Sequence, residues 1–303
     1  MKKARAKKRS GLEQSQLTSY AMLSPWLILF IIFGLIPVLV AILLGFTNYD
    51  MLNFPKWAGF DNYIRLLLDD DVFQISLKNT LIFAVITGPI GYLLSFVVAW
   101  GINEFNRTAR SILTLCFYAP SLGGNALFVW QYIFNGDSYG LLNSFLLDWG
   151  FIDSPIQWLT DTSYNFGICI IVMLWMSCGT GFLTFVAGLQ SLNRELAEAG
   201  AIDGIKNRWQ ELFYVTLPQM KPQLLFGAVQ TISSSFGCGS ICAALTGNPS
   251  TDYSTHTIVL HLDDYAFVRF ELGYASAIAV VLFAMMLVYW LFVNKILARW
   301  SQD

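Results

Sequence analysis

Six stretches of this chain, each about twenty residues or longer, hold no Lys, Arg, Asp or Glu. They are Met22–Phe46, Thr80–Ile102, Ser111–Phe134, Tyr164–Leu189, Gln223–Gly247 and Gly273–Val293. About twenty mostly apolar residues make a helix long enough to cross a bilayer, because lipid satisfies no backbone polar group and the segment must satisfy its own. Charged residues make up only 13% of the 303, against about 25% in an ordinary soluble domain. With mean hydropathy at +0.55, too little polar surface remains to cover a soluble globule. The fold class expected is all-α integral membrane, with six transmembrane helices. The first stretch is too long for the apolar core of a signal peptide and lacks a small-residue cleavage pattern, so it is read as retained.

Lys and Arg placement orients the spans. Starting inside and alternating puts fourteen of the 18 basic residues on one side: six in the first nine residues, then Arg107, Arg110, Arg194, Lys206, Arg208, Lys221, Lys295 and Arg299. Only Lys56, Arg65, Lys78 and Arg269 fall opposite. Both termini are therefore expected in the cytoplasm. Residues 1–20 form a basic tail that fixes orientation and suits anionic lipid. Residues 21–303 form one transmembrane domain.

The loops differ in character. Asp61–Lys78 sets Ile64, Leu67, Leu68 and Phe73 against Asp69, Asp70 and Asp71, the pattern of a helix lying on the outer surface. Gly140–Trp149 reads as a second, shorter one. Residues 191–222 form the longest inner loop. Asn193 can cap a helix with Glu195 in its first turn, and Leu196, Ala199 and Ile202 make a small apolar stripe. Gly204 breaks that run. Trp209, Leu212 and Phe213 share one side of the next, and Pro218 and Pro222 mark re-entry to the membrane. Such a helix–bend–helix either docks on another protein or lies against the chain's own helices.

Catalytic patterns are missing from the sequence. It contains no Gly-x-x-x-x-Gly-Lys-Ser/Thr loop, no His-Glu-x-x-His and no Gly-x-Ser-x-Gly. His256 and His261, at i and i+5, read as an outer-loop pair and not as zinc ligands; no metal site is expected. Asp263 and Asp264 read as a solvated charge run. The five cysteines fall in the apolar spans and read as small buried hydrophobes. Ion-coupled carriers keep ionisable relays at membrane depth, and the spans here have no charged group, so energy is expected from outside the membrane domain. Uncharged polar groups do occur in the spans: Asn125, Gln131, Ser177, Thr180, Gln230, Thr231 and Ser233–Ser235, with Trp130, Tyr132 and Trp175 nearby. They suit either hydrogen bonding between helices or a neutral, hydroxyl-rich solute such as a sugar.

Glu198-Ala199-Gly200-Ala201-Ile202-Asp203-Gly204, followed by Val215-Thr216-Leu217-Pro218, resembles the "EAA" motif. That motif belongs to permease subunits of binding-protein-dependent ABC importers. Gly200 stands where the family usually has Ala, Ile205 where Ala is common, and the stretch to Pro218 is one residue longer than the commonest form. Further likeness lies in Phe46-Thr47-Asn48-Tyr49-Asp50, Phe60-Asp61-Asn62-Tyr63, Asn79-Thr80-Leu81, Ala187-Gly188-Leu189-Gln190-Ser191 and Gly273-Tyr274-Ala275-Ser276-Ala277. Together these resemble the maltose/glycerol-phosphate/oligosaccharide branch, first-permease type.

The resemblance implies a type I ABC importer permease fold in a prokaryotic cytoplasmic membrane, and a transport subunit instead of an enzyme. It implies several partners: a second, non-identical permease, an ATPase dimer, an extracytoplasmic solute-binding protein, membrane lipid and a sugar, with no nucleic acid. ATP and Mg would sit on the ATPase, with no cofactor in this chain. Glu195, Glu198, Ala199, Asp203 and Gly204 would couple to the ATPase, with Glu198 the anionic contact. By matching position, Trp175, Ser177, Gln230 and Ser234 are substrate-pathway candidates, and Asn125 joins them as an uncharged polar group within a span. A charged or phosphorylated sugar or polyol is the alternative cargo, and an ion-coupled carrier the alternative mechanism.

Overall fold

The computed structural model describes residues 18–123 and 126–300, without the side chains of 194 and 296–300. The first seventeen residues of the basic tail and Asn125 lie outside the described residues. Among these residues the backbone is helical apart from loops and a single antiparallel bridge between Thr47 and Trp57.

Helix α1 spans Thr18–Leu44 and buries none of its residues. One π turn, Ile31–Leu35, precedes Pro37, which lacks an N–H to continue a regular ladder. Helix α2, Asp71–Asn103, is the long axis of the molecule at 33 residues, about 50 Å at 1.5 Å per residue. It starts earlier than the apolar run. Asp70 leaves the helical region at φ −106°, ψ 89°, and its carboxylate accepts the Phe73 N–H. The surface helix expected over Asp61–Lys78 is thereby cut to Asp61–Ile64 and Arg65–Asp69, and the remainder joins α2.

The expected span Ser111–Phe134 is a bent pair. Helix α3, Arg107–Leu122, and helix α4, Ala126–Ile133, have axes 81° apart. Pro120 tightens the end of α3 into a 3-10 turn, and Gly123 is extended. The expected short helix follows at Leu141–Asp148. Helix α5, Asn165–Gln190, loses regular structure between Trp175 and Thr180. Helix α6, Arg194–Ile202, projects from the inner end. Helices α7, Lys221–Phe236, and α8, Gly239–Thr246, form the second bent pair at 40°. Helix α9 is Leu272–Trp300. Among the described residues α1, α2, α5 (despite its break) and α9 each pass as a single span, and with each bent pair taken as one span the total reaches the six expected.

The inner core lies where α2, α5 and α7 meet. The Phe185 ring sits edge-on to Tyr92 and Phe96, at 5.3 and 5.6 Å, and fills the space over Gly227 where any side chain would collide with it. Phe182, Phe185 and Met220 are fully enclosed. Of the five cysteines, four are buried as expected, but Cys116 on α3 is exposed.

The outer ends are tied by buried polar side chains. The Asn62 amide donates to Gly45 O and Thr47 O, both at 2.9 Å, closing the end of α1. The Asn79 amide donates to Tyr253 O and His256 O, and Thr80 Oγ1 accepts the Ile258 N–H. Asp70 Oδ2 accepts from Tyr274 OH at 2.7 Å and faces His261 Nε2 at 3.0 Å. Neither histidine lies in an open loop: His256 is 3% and His261 2% exposed. Asp264 is paired with Arg269 at 2.7 Å instead of standing free in water.

This cluster is sensitive to acid. Burial, with the neighbouring His261, lowers His256 to about 4. Burial also lowers His261, against the attraction of Asp70, so at neutral pH a neutral imidazole donates to that carboxylate. Burial pushes Asp70 up, but hydrogen bonds from Tyr274, Phe73 N and His261 outweigh it and leave Asp70 below its usual value. An unfolded chain protonates its histidines near 6.5, before the folded chain does. The stability they contribute is complete above that pH and drains as pH falls from about 6.5 towards about 4. Asp263, raised by burial, opposes the trend only near the bottom of that window. Amide exchange in residues 251–268, corrected for intrinsic rate, is expected to be faster at pH 5 than at pH 7. His256→Phe should flatten the dependence; equal protection of the native chain at both pH values would show that the cluster does not titrate.

Candidate functional site: a mid-membrane cavity and an inner lever

In hydrocarbon an interrupted helix is tolerated only where protein or a water-filled cavity receives the freed backbone groups. The break in α5 meets that condition. Ser95 on α2 donates its hydroxyl to Ser177 O at 2.9 Å, taking up a carbonyl that the helix has released. Gly179, at the same break, has backbone angles outside the helical region. The break opens on a cavity of about 250 Å³, lined by the middle of α5, α7 and α2, by the C-terminal end of α3 and by the start of α8.

Ser177, Gln230 and Ser234, three of the candidates chosen from sequence, line this cavity together. Trp175 does not line it and instead sits edge-on to Trp130 at 5.2 Å, with 41% of its surface exposed. Asn125 lies outside the described residues. Sequence reasoning missed Tyr118 and Ser121, which complete the wall from α3. The available signal was Pro120 followed by Gly123, a helix stop inside an apolar run.

Several of the hydroxyls on this wall are committed as donors. Thr87, Thr231, Ser234 and Ser235 each donate to the carbonyl four residues back. Their oxygen lone pairs remain, so the wall accepts hydrogen bonds more readily than it donates them. The Gln230 amide and the Tyr118 phenol bring donors as well as acceptors. No Lys, Arg, Asp or Glu is among the described lining residues. Such a surface matches the hydroxyl groups of a neutral solute and gives nothing to neutralise a charged one.

At the inner end α6 stands away from the bundle. Asn193 Oδ1 caps it on the Glu195 N–H at 3.0 Å, as its position in the sequence suggests, and its own N–H donates to Gln219 Oε1 at 3.1 Å. Glu195, Glu198, Ala199, Asp203 and Gly204 all lie exposed on this one projection. Leu196 and Ile202, two of the three residues of the expected apolar stripe, are 50% and 87% exposed and Ala199 is exposed as well, so that stripe does not face the chain's own helices. Gly204 takes φ +101°, where a side chain is strained. The Gly204 N–H reaches Ala201 O and the Ile205 N–H reaches Gly200 O, the paired bonds of a Schellman cap.

That cap explains two unusual residues together. A Cβ added at Gly200 would lie 2.8 Å from Ile205 Cδ1 and 3.3 Å from Val215 Cγ2. The larger side chain after the bend occupies the space that a methyl at 200 would need. Beyond the bend, Arg208 bridges Glu104, at the end of α2, and Glu211, at 2.7 and 3.0 Å. Trp209 packs on Trp100 of α2 with ring centroids 5.2 Å apart. Of the side expected to be shared, Leu212 is buried, whereas Trp209 and Phe213 remain exposed.

Residues 18–302 match the family described as "Binding-protein-dependent transport system inner membrane component". The chain belongs to that family. It is a membrane subunit of a transport system and not an enzyme. A probable ABC transporter permease of Bacillus subtilis strain 168, YesP, is 32% identical, over 97% of this chain and 94% of that one. The lactose transport system permease LacF of Rhizobium radiobacter is 29% identical, over 92% and 94%. The fold matches a crystal structure of a bacterial ABC transporter that imports the acidic polysaccharide alginate, with TM-score 0.76 and 24% identity, covering 96% of this chain and 98% of that one. In this permease the segments Phe60–Tyr63, Asn79–Leu81 and Gly273–Ala277 prove to be fasteners. They supply Asn62, Asn79, Thr80 and Tyr274 to the outer ties, and a Cβ on Gly273 would fall on the Thr47 carbonyl oxygen.

The packing at the bend is testable. Gly200→Ala is expected to lower the melting temperature of the purified complex, since overpacking costs about 1–3 kcal/mol. Ile205→Ala in the same chain should restore most of the loss. If the double variant melts no higher than Gly200→Ala alone, the two positions are not one packing unit.

Proposed function

We propose that this chain forms part of the translocation path for a sugar or oligosaccharide in an ATP-driven importer of a prokaryotic cytoplasmic membrane. The supporting observation is the uncharged, acceptor-rich cavity at the break of α5, joined through α2 to a projecting inner helix. A solute-binding protein outside would deliver the sugar. A second, non-identical permease would complete the path, and a separate ATPase dimer would hold ATP and Mg. The names of relatives favour a sugar: LacF carries lactose, and the permease AraP of Bacillus subtilis strain 168, 27% identical, serves arabinooligosaccharides. A charged or phosphorylated sugar fits the cavity less well, because no basic group is among its described lining residues.

In this reading Ser177, Gln230 and Ser234 touch the passing sugar, and Glu195, Glu198, Ala199, Asp203 and Gly204 meet the ATPase. Closure of the ATPase dimer pushes α6. The Trp100–Trp209 contact and the Arg208–Glu104 pair carry that push to α2, whose Thr87 is part of the cavity wall. Ligand binding on one subunit thereby biases a two-state arrangement of another.

Reconstituted with its partners in proteoliposomes, the complex is expected to take up neutral oligosaccharides in preference to their phosphorylated counterparts. Gln230→Ala should reduce uptake about tenfold, the effect of losing one buried hydrogen bond of about 1–1.5 kcal/mol. Trp175→Ala should change it less. Unchanged uptake in Gln230→Ala, with normal assembly, would remove the cavity from the path.

Arg208→Glu sets an acid beside Glu104 and Glu211. It is expected to cut uptake several-fold while leaving more of the ATPase rate. Adding Glu104→Arg should recover transport. A double variant no better than the single one would show that this pair transmits nothing.

A further inference from the structure

The outer segment after α1 presents apolar side chains to the outside in a fixed shape. Leu52 is 91% and Phe54 93% exposed, more than almost any other large apolar side chain among the described residues. Their loop is built, not loose. The Asp50 carboxylate accepts the Asn53 N–H, the Asn53 side-chain amide and the Leu52 N–H, and those bonds, Asn53's above all, hold it below its usual pKa. The Asn48 N–H donates to Lys56 O and the Ala58 N–H to Phe46 O, so the loop is pinned to the end of α1. Trp57 stacks on Phe46 at 5.7 Å, and Phe60 meets the same ring edge-on at 5.3 Å.

The short helix that follows has two faces. Phe60, Ile64, Leu67 and Leu68, spaced i, i+4, i+7 and i+8, are all exposed. Asn62 and Leu66 point the other way and are buried. This reverses the usual arrangement of a surface helix, whose apolar stripe faces its own core. An exposed apolar surface of this extent marks contact with something apolar.

Its occupant follows from its place. The patch continues the exposed surface of α1, from Leu39 and Leu43 through the Phe46, Trp57 and Phe60 rings. At 27 residues α1 is about 40 Å long, so its outer end reaches the boundary of a hydrocarbon core about 30 Å thick. Tryptophan and neighbouring rings are suited to that boundary, with Lys56 reaching to the headgroups. We propose that residues 51–68 are an outer-leaflet anchor, lying in the membrane interface with Leu52, Phe54, Leu67 and Leu68 among the lipid chains. The buried face works as a brace. Asn62 closes α1, and Arg65 pairs with Glu271 at 2.7 Å and lies over the Tyr274 ring at 4.2 Å, at the start of α9. The anchor therefore holds the outer ends of α1 and α9 at one depth. This inference needs only the membrane span of α1 and is independent of the cargo.

The test uses the whole assembled transporter in nanodiscs of phosphatidylcholine and phosphatidylglycerol. Exposed Cys116 is replaced by serine, and a nitroxide is attached at Phe54→Cys, Leu52→Cys or Leu68→Cys in turn, with exposed Asp153→Cys as the reference. Collision with oxygen, which partitions into lipid, is compared with collision with a water-soluble nickel chelate. The expected result is an oxygen-to-nickel ratio several times that of the reference at all three sites. Nickel-dominated collision would place the segment in water and overturn the proposal. Shielding from both reagents would mean that a protein partner covers the patch, which also overturns it.

Discussion

Every backbone N–H and C=O at membrane depth must find a partner within the protein, and this requirement orders the rest of the structure. Three of the six spans are interrupted, and each interruption has a local cause: Pro120 and Gly123 in the third, Ser177–Gly179 in the fourth, Gly237 and Cys238 in the fifth. Side chains of the third, fourth and fifth spans near these breaks all reach one cavity. The cavity exists because helices stop there, and helices stop there because neighbours such as Ser95 accept the consequence. A polar path through lipid and a set of broken helices are two descriptions of one arrangement.

Much of this was legible from residues alone. The charge-free stretches located six spans, and the capping role of Asn193 and the bend at Gly204 were readable from their positions. What was not legible depended on long-range contacts. A carboxylate such as Asp70 reads as part of the polar side of a surface helix, yet it starts a helix and gathers Tyr274 and His261 from about 200 residues away. Trp175 read as a sugar platform because it is an aromatic beside polar groups. Its rotation about the helix axis, which turns it towards Trp130, is decided by packing that periodicity does not encode. Tyr118 was hidden for the converse reason: it sits in an apolar run and faces the cavity only because α3 ends there.

The two ends of the molecule are held in physically different ways. Outside, the ties are buried amides, hydroxyls and a carboxylate, the amides and the carboxylate with two or three partners each, and losing one would leave others unsatisfied at a cost of about 1–3 kcal/mol. Inside, α6 is held by the Asn193–Gln219 bond, the Schellman cap and the exposed Arg208 pairs. Exposed ion pairs contribute at most about 1 kcal/mol and break readily in water. The stiff end is the one that faces outwards, and the compliant end carries the exposed lever.

That asymmetry bears on how a push at α6 could reach the cavity. A lever attached only by exposed ion pairs would slip. The Trp100–Trp209 contact changes the argument, because rings in van der Waals contact resist approach regardless of ionic strength, whereas the Arg208–Glu104 pair resists separation and is screened by salt. In the proposed coupling one contact would transmit compression and the other tension, and both meet the same end of α2. With the far end of α2 fixed at Asp70, Asn79 and Thr80, displacement at its inner end must be taken up between them. Pro89 lies in that interval, where the helix has no N–H to complete its ladder, and Thr87 on the cavity wall lies two residues before it. A bend at this point would move the wall without loosening the outer ties.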